Sequence, residues 1–383
     1  MWNSLKNNSK SIVLYGTGDG AEKIMRHLDM RGIPVSGIFA SDGFVRTPRK
    51  IFHGFEVLSY AEAREKFGDM AVLVCFGSDR PEVIENVKRI ASEQELYAPD
   101  VPVAGTDIFD REYYMQHRKD ADEVYELLAD EQSRRVFKDI IEYKLTGRLD
   151  PLFRCETPDS ELWELLSPGT DESYLDLGAY TGDTVREFIS VAGTYKEIFA
   201  FEPDKRNYRK LTENILRLHD TANKIHCYNI AAYSHKTELH FTRNAGRGNT
   251  QKLNGTPLPS NGFVSQRTSR PQCASEQPVG TQMPSGEFLS HKKLVRADSI
   301  DNLLADKCIT LVKIDVEGFE SEAILGMKEL ISKKCPKMLI AAYHKSGDLW
   351  DIPKQILDLS PKYKIYLRHS PCIPAWEVNY IFV

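Results

Sequence analysis

Short continuous apolar runs alternate along the chain with segments whose apolar residues recur every three or four positions, and this alternation occurs twice. In the first stretch, Ser11–Tyr15 (SIVLY) is a buried-strand run, Gly16 to Gly20 a turn, and Ala21–Met30 a helix with Ile24, Met25 and Leu28 on one face. A second strand is expected over Pro34–Phe39, after the stop signal of Gly32, and a third in MAVLVCFGSD (Met70–Asp79). The run RPEVIENVKRI follows as a helix with Pro81 in its first turn. Together these predict a small, parallel, Rossmann-like α/β domain over residues 1–110.

From 111 to 170 the period becomes helical throughout, as in ADEVYELLADEQSRRVFKDIIEYKLTG with Gly147 as its stop, which predicts a helical connector. Alternation resumes in a second domain over 171–383, with strands expected at Ser173–Leu177, Glu197–Phe201, Lys224–Ile230, Thr310–Ile314, Lys337–Tyr343, Lys362–Arg368 and Val378–Val383. Helical patterns separate the earlier strands, so this sheet should be doubly wound and mainly parallel. Only a short connection joins the last two, which predicts an antiparallel ending. Residues 243–293 turn to Asn, Gly, Ser, Thr, Pro and Gln; such a segment buries too little apolar surface to offset its ordering entropy, so a mobile insertion is expected, with a lid over the site as the other reading.

Composition narrows the function. Hydrophobic residues make up 41% and charged residues 27% of 383, with no apolar run near the roughly 18 residues of a membrane span and no apolar segment behind the N-terminal lysines. A cytoplasmic protein without membrane contact is expected. Seven cysteines lie scattered with no C-x-x-C pair, which argues against a zinc site and a disulfide framework. A net charge of -5 gives nucleic-acid phosphates no basic field, so small molecules are the expected substrates.

In an open parallel sheet, ligands bind beyond the carboxyl ends of the strands. In the second domain those ends carry Asp176 and Gly178, then Glu202, then Asn229 and Ala231, then Asp315 and Glu317, then His344. This acidic rim suits no phosphate: YLDLGAYTGDT is a glycine turn, but Asp176 and Asp183 would repel a pyrophosphate and the Gly-Lys-Ser/Thr ending of a phosphate loop is missing. S-adenosylmethionine fits better, because its sulfonium, ammonium and ribose diol all suit carboxylates. Glu202 in FAFEPD is placed to accept both ribose hydroxyls, and Gly178 and Gly182 allow close backbone approach.

YLDLGAYTGDT, IFAFEPD, YNIAAYSHKTELHF, ADSIDNLL, LVKIDVEGFESEAILGM and YHKSGDLWDIP, in this order, resemble the FkbM family of S-adenosylmethionine-dependent methyltransferases from Ser173 onward. The resemblance implies a class I methyltransferase fold and methyl transfer to a hydroxyl of a sugar, glycan precursor or related small molecule. It also implies that Asp176, Gly178, Ala179, Gly182 and Asp183 form the methionine-side turn, that Glu202 with Pro203 holds the ribose, and that residues from Asn229 through Ala231 to Ala232 border the adenine. One departure is that Tyr343 and His344 stand where many members have an acid.

His344 is expected as the base that takes the acceptor proton, or else as a hydrogen-bond partner of a neighbouring loop. Asp315 and Glu317 face the cleft if DVEGFE turns at Glu317-Gly318; they bind the acceptor, act as base or hold a divalent cation, or Asp315 simply pairs with Lys313. No metal ligand is assigned. Asp176 has the alternative of fixing the turn. Arg368 and His369 are read as a solvated strand end, with contact to an anionic acceptor as the alternative.

Gly16, Gly18 and Ala21 match a dinucleotide fingerprint, with Asp42 as the nearest acid, but the same glycines also permit tight helix–sheet packing. The N-terminal domain is therefore read as a scaffold or dimerisation unit, or as a nucleotide-sugar site. The rival to an enzyme is a catalytically silent protein that senses a nucleotide sugar through that domain. The expected partners are a small-molecule or glycan acceptor and a second copy of the chain.

Overall fold

Runs rich in β-branched and aromatic residues, buried on both faces, form the centres of two sheets in a computed structural model that describes residues 1–45, 48–218, 223–242 and 292–383. The first sheet comprises β1 (Ser11–Tyr15), β2 (Gly37–Phe39), β3 (Ile51–Phe52), β4 (Phe55–Leu58), β5 (Met70–Val74) and β6 (Glu95–Tyr97), in the order β3-β4-β2-β1-β5-β6. All its pairs are parallel except the β3–β4 hairpin. The helix Asp19–Met30 begins two residues before the expected start at Ala21 and ends where expected.

Continuing along the chain come β7 (Ser173–Leu177), β8 (Glu197–Phe201), β9 (Ile225–Tyr228), β10 (Ala231–Ala232), β11 (Thr237–Thr242), β12 (Lys292–Asp298), β13 (Leu311–Ile314), β14 (Lys337–Ala341), β15 (Ile365–His369) and β16 (Val378–Phe382). The second large sheet runs β15-β16-β14-β13-β7-β8-β9, parallel from β14 through β13, β7 and β8 to β9 and antiparallel at β14–β16 and β15–β16. The antiparallel ending agrees with the sequence reading. β10, β12 and β11 form a separate three-stranded sheet that the sequence reading did not anticipate. The reading of 243–293 as a mobile insertion or lid falls almost entirely outside the described residues.

Strand order reverses between β7 and β13: from β7 the chain moves outward through β8 and β9, then returns to β13 on the other side of β7. This is the switch point at which such sheets open a crevice. The two strand ends nearly touch there. A Cβ on Gly178, whose φ is +91°, would lie 1.9 Å from the carbonyl oxygen of Asp315.

The connector is helical, as expected, over Arg111–Gln116, Arg118–Leu127, Glu131–Thr146, Asp150–Arg154 and Asp159–Leu166. It does more than join. One apolar cluster runs from Val13 and Val72 of the first sheet through Val136, Phe137 and Ile140 of the connector to Leu175, Val312 and Ile340 of the second. The buried pair Lys144–Asp100, at 2.8 Å, fastens the connector to the end of the N-terminal domain. Arg368 is buried too, and its guanidinium donates to Asp130, Glu161 and Ser133. His369 is fully buried. Neither is the solvated strand end or acceptor contact that the sequence suggested, because the connector covers β15. Among the described residues no helix is long and apolar enough to cross a membrane, and the cysteines are free.

Candidate active site

A cleft of about 970 Å³ opens at the switch point. That lies at the upper end of the roughly 300–1,000 Å³ range of small-molecule sites. Its floor is the turn after β7. Gly178 (φ +91°) and Gly182 (φ +86°) take left-handed backbone, as does Tyr180 (φ 46°) between them, and the helix Asp183–Ala192 begins at once. Glu202, at the end of β8, forms one wall. Its Oε2 accepts the Tyr180 N–H at 3.0 Å and its Oε1 the Asp204 N–H at 2.8 Å. A carboxylate has about four lone-pair sites, so even with the Asn207 side chain as a further donor capacity remains for a ribose hydroxyl. Burial pushes the Glu202 carboxyl up to about 7, against the pull of these backbone donors.

The opposite wall follows β13. The chain turns at Glu317–Gly318, both at positive φ (55° and 97°), and Asp315 and Glu317 both reach the cleft. A non-glycine residue in this region carries strain that surrounding contacts must hold. Glu320 supplies them: its Oε1 accepts the N–H groups of Val316 and Gly318 at 3.1 and 3.2 Å. Lys313 Nζ lies 3.2 Å from Asp315 Oδ2, the charge pair that the sequence had offered as an alternative, and Tyr343 Oη donates to Asp315 Oδ1 at 3.3 Å. Burial opposes ionisation of Asp315, but Lys313 and His344 outweigh it and hold its carboxyl below the usual range.

His344 is at the cleft, but the carboxylates around it oppose the expected role of base. It is 1% exposed, with Nδ1 2.9 Å from Glu320 Oε1 and Nε2 3.6 Å from Asp315 Oδ1 and 3.8 Å from Glu317 Oε2. Burial disfavours its charged form, yet the carboxylates, Glu320 first, push it up to about 10. At neutral pH the ring already carries the proton a base would have to accept.

Of the residues singled out in sequence, Gly178, Asp183, Glu202, Pro203, Ala231, Asp315, Glu317 and His344 line the cleft. Four do not. Asp176 is sealed beneath the turn, where Thr184 Oγ1 donates to its Oδ2 and Oδ1 has no partner; it supports the turn and does not reach the cleft. Ala179 is fully buried with its N–H on Phe201 O, and a Cβ on Gly182 would meet Leu211. Asn229 donates to the carbonyls of Glu202 and Pro203, so it positions that wall from behind.

Ala232, Lys313 and Tyr343, also named from sequence, line the cleft as well, but sequence reasoning missed other parts of the lining. Trp376 and Glu377, at the entry to β16, face the cleft, and so do Gly77, Ser78, Asp79 and Val103 of the N-terminal domain. That domain docks closely. Ser78 bridges to Ile373, the Ala104 N–H donates to His344 O at 2.9 Å, and a Cβ on Gly77 would strike the Trp376 ring at 2.1 Å. The signal in sequence was weak: a glycine after the β5 run, far along the chain from its tryptophan. In the Gly16 turn, meanwhile, a Cβ on Gly16 would meet the Phe76 ring at 2.9 Å and one on Gly20 the Cys75 carbonyl at 2.2 Å, while Asp42 is exposed in a separate short turn. Gly16 and Gly20 serve close packing, while a Cβ on Gly18 would meet nothing within 4 Å.

A doubly wound sheet with a glycine turn, an acid on the next strand and a cleft at the switch point defines a Rossmann-like fold of the class I methyltransferase type. Residues 176–364 match the methyltransferase FkbM domain, and the C-terminal domain belongs to that family. Among solved structures, the chain is similar to a methyltransferase FkbM from Methylobacillus flagellatus KT, at 21% identity and a TM-score of 0.68, over 98% of this chain and 90% of that one. It is more distantly similar to a precorrin-6y C5,15-methyltransferase from Geobacter metallireducens GS-15, at 11% identity and a TM-score of 0.32, over 58% and 84% of the two chains. A comparison with curated protein sequences finds no match.

Proposed function

We propose that the protein is an S-adenosylmethionine-dependent O-methyltransferase whose acceptor is a hydroxyl of a sugar, a glycan precursor or a related small molecule. The observation that carries the reading is Glu202: a carboxylate on the wall of the cleft with each oxygen tied to one backbone N–H, beside a glycine turn, and with acceptor capacity left for the ribose. When bound, S-adenosylmethionine supplies an electrophilic methyl group on a sulfonium. The Gly178–Asp183 turn faces its methionine end, and Ile230 to Ala232 border the base. The cleft lining also includes Trp376, Asp79 and Glu377, and an indole together with carboxylates suits the apolar face and hydroxyl edge of a sugar. There the protein aligns the acceptor oxygen and receives its proton. Burial and the nearby Asp315 push Glu377 up to about 7, which puts a carboxylate that titrates near neutral pH on the cleft lining.

Thermal unfolding with S-adenosylmethionine, S-adenosylhomocysteine, NAD and UDP-sugars tests the reading. The two adenosyl ligands should raise the midpoint, and Glu202→Ala should abolish the rise. Stabilisation by NAD or a UDP-sugar alone would instead favour the nucleotide-sensing alternative and refute this one.

A further inference from the structure

We infer that Asp315, Glu320 and His344 form a binding site for one divalent first-row transition cation on the acceptor side of the cleft. One oxygen of each carboxylate and one imidazole nitrogen lie within 4.8 Å of one another. Tetrahedral ligands about 2.0–2.2 Å from a shared ion stand roughly 3.3–3.6 Å apart, so the widest-spaced pair closes by about an ångström when an ion binds.

Two buried polar atoms point to a missing partner. Glu320, with no exposed surface, satisfies Oε1 on the 316–318 turn but leaves Oε2 without a hydrogen bond. His344 Nδ1 approaches Glu320 Oε1 at 2.9 Å but makes no hydrogen bond of good geometry. Buried polar atoms of this kind are ordinarily paired or bound to an ion.

Charge gives a separate reason. Asp315, Glu317 and Glu320 surround the imidazole, and Lys313 is the ammonium paired with Asp315. Three carboxylates against one ammonium and the protonated imidazole leave one negative charge, and a divalent ion that displaces the imidazole proton brings the sum to zero. A mixed carboxylate–imidazole set favours Mn²⁺ or Zn²⁺ over Mg²⁺. Asp315 and His344 line the cleft whereas Glu320 lies behind it, so the ion's open side faces the acceptor. That the ion binds the acceptor rests on the methyl-transfer reading; that the site binds an ion does not.

The test is titration of the chelator-treated full chain with MnCl2, ZnCl2 and MgCl2, by calorimetry and, for Mn²⁺, by electron paramagnetic resonance of the free ion. Mn²⁺ or Zn²⁺ should bind at one per chain and more tightly than Mg²⁺. Asp315→Asn and Glu320→Gln should each weaken binding by at least about tenfold. Circular dichroism checks folding; if Glu320→Gln does not fold, Asp315→Asn on the cleft side decides alone. Absence of stoichiometric binding, or binding that a folded Asp315→Asn leaves unchanged, overturns the inference. S-adenosylhomocysteine binding measured on the same samples separates the two readings: adenosyl binding without an ion overturns only the cation site, and an ion without adenosyl binding overturns only the methyltransferase reading.

Discussion

Gly178 joins the fold to the site, so its substitution tests both. In Gly178→Ala the new Cβ would lie 1.9 Å from Asp315 O, against the 3.4 Å at which ordinary contact begins. Neither side can easily retreat. The Asp315 N–H is bonded to Leu177 O at 3.0 Å, and the Gly178 N–H to Phe201 O at 3.0 Å, so the clash falls on backbone held by three adjacent strands. Left-handed backbone costs an alanine about 1–2 kcal/mol and overpacking a further ~1–3 kcal/mol, so a loss of about 2–5 kcal/mol is expected. Gly193→Ala is the control: its φ is +70°, but a Cβ there meets nothing within 4 Å, so only the backbone penalty applies. Urea unfolding of both variants, with unchanged slope, gives the comparison. Gly178→Ala should also weaken S-adenosylhomocysteine, because β7 and β13 must separate at the floor of the cleft. Equal destabilisation of the two variants, with cofactor binding intact, would refute the claim that this close approach shapes the site.

Two further predictions follow from buried charges. With Glu202 raised to about 7, its carboxylate is mostly protonated at pH 6 and ionised at pH 8, so S-adenosylhomocysteine affinity should rise by about tenfold between them and level off above; a flat calorimetric profile would show that the ribose does not need this anion. Lys144→Met leaves Asp100 buried without its partner and should cost about 3–5 kcal/mol. Because one apolar cluster spans both sheets, the variant should still melt in a single calorimetric transition, and two separated transitions would contradict that continuity.

Strand ends were legible where burial is two-sided. β7 and β8 have the limits expected from their unbroken apolar runs, because such runs stop where the chain leaves the sheet. β10 to β12 were missed because the long polar stretch separates β11 from β12 in sequence while their pairing joins them in space. At the site, the strand-end residues could be named, but which of them line the cleft and which support it could not. Asp176 and Gly178 are two residues apart, and a turn at positive φ sends one under the floor and the other onto it. The Glu320–His344 contact joins a turn after β13 to the end of β14, and the Gly77–Trp376 contact joins two domains; no local pattern encodes either.

The two glycine turns show what such a motif does encode. Gly16 and Gly178 both end a strand at positive φ, and both are glycine because something comes too close for a side chain: the Phe76 ring in one case and the Asp315 carbonyl in the other. The pattern therefore reports close approach but does not identify what approaches. What distinguishes the turns is the chemistry of the adjoining strand ends. Around Gly16 these are Phe39, stacked on Tyr15, and Ser41, hydrogen-bonded to the Tyr15 hydroxyl, with no carboxylate at either. Around Gly178 they are Glu202 and Asp315, carboxylates at a cleft, which the sequence reading could weigh only because it considered charge as well as spacing.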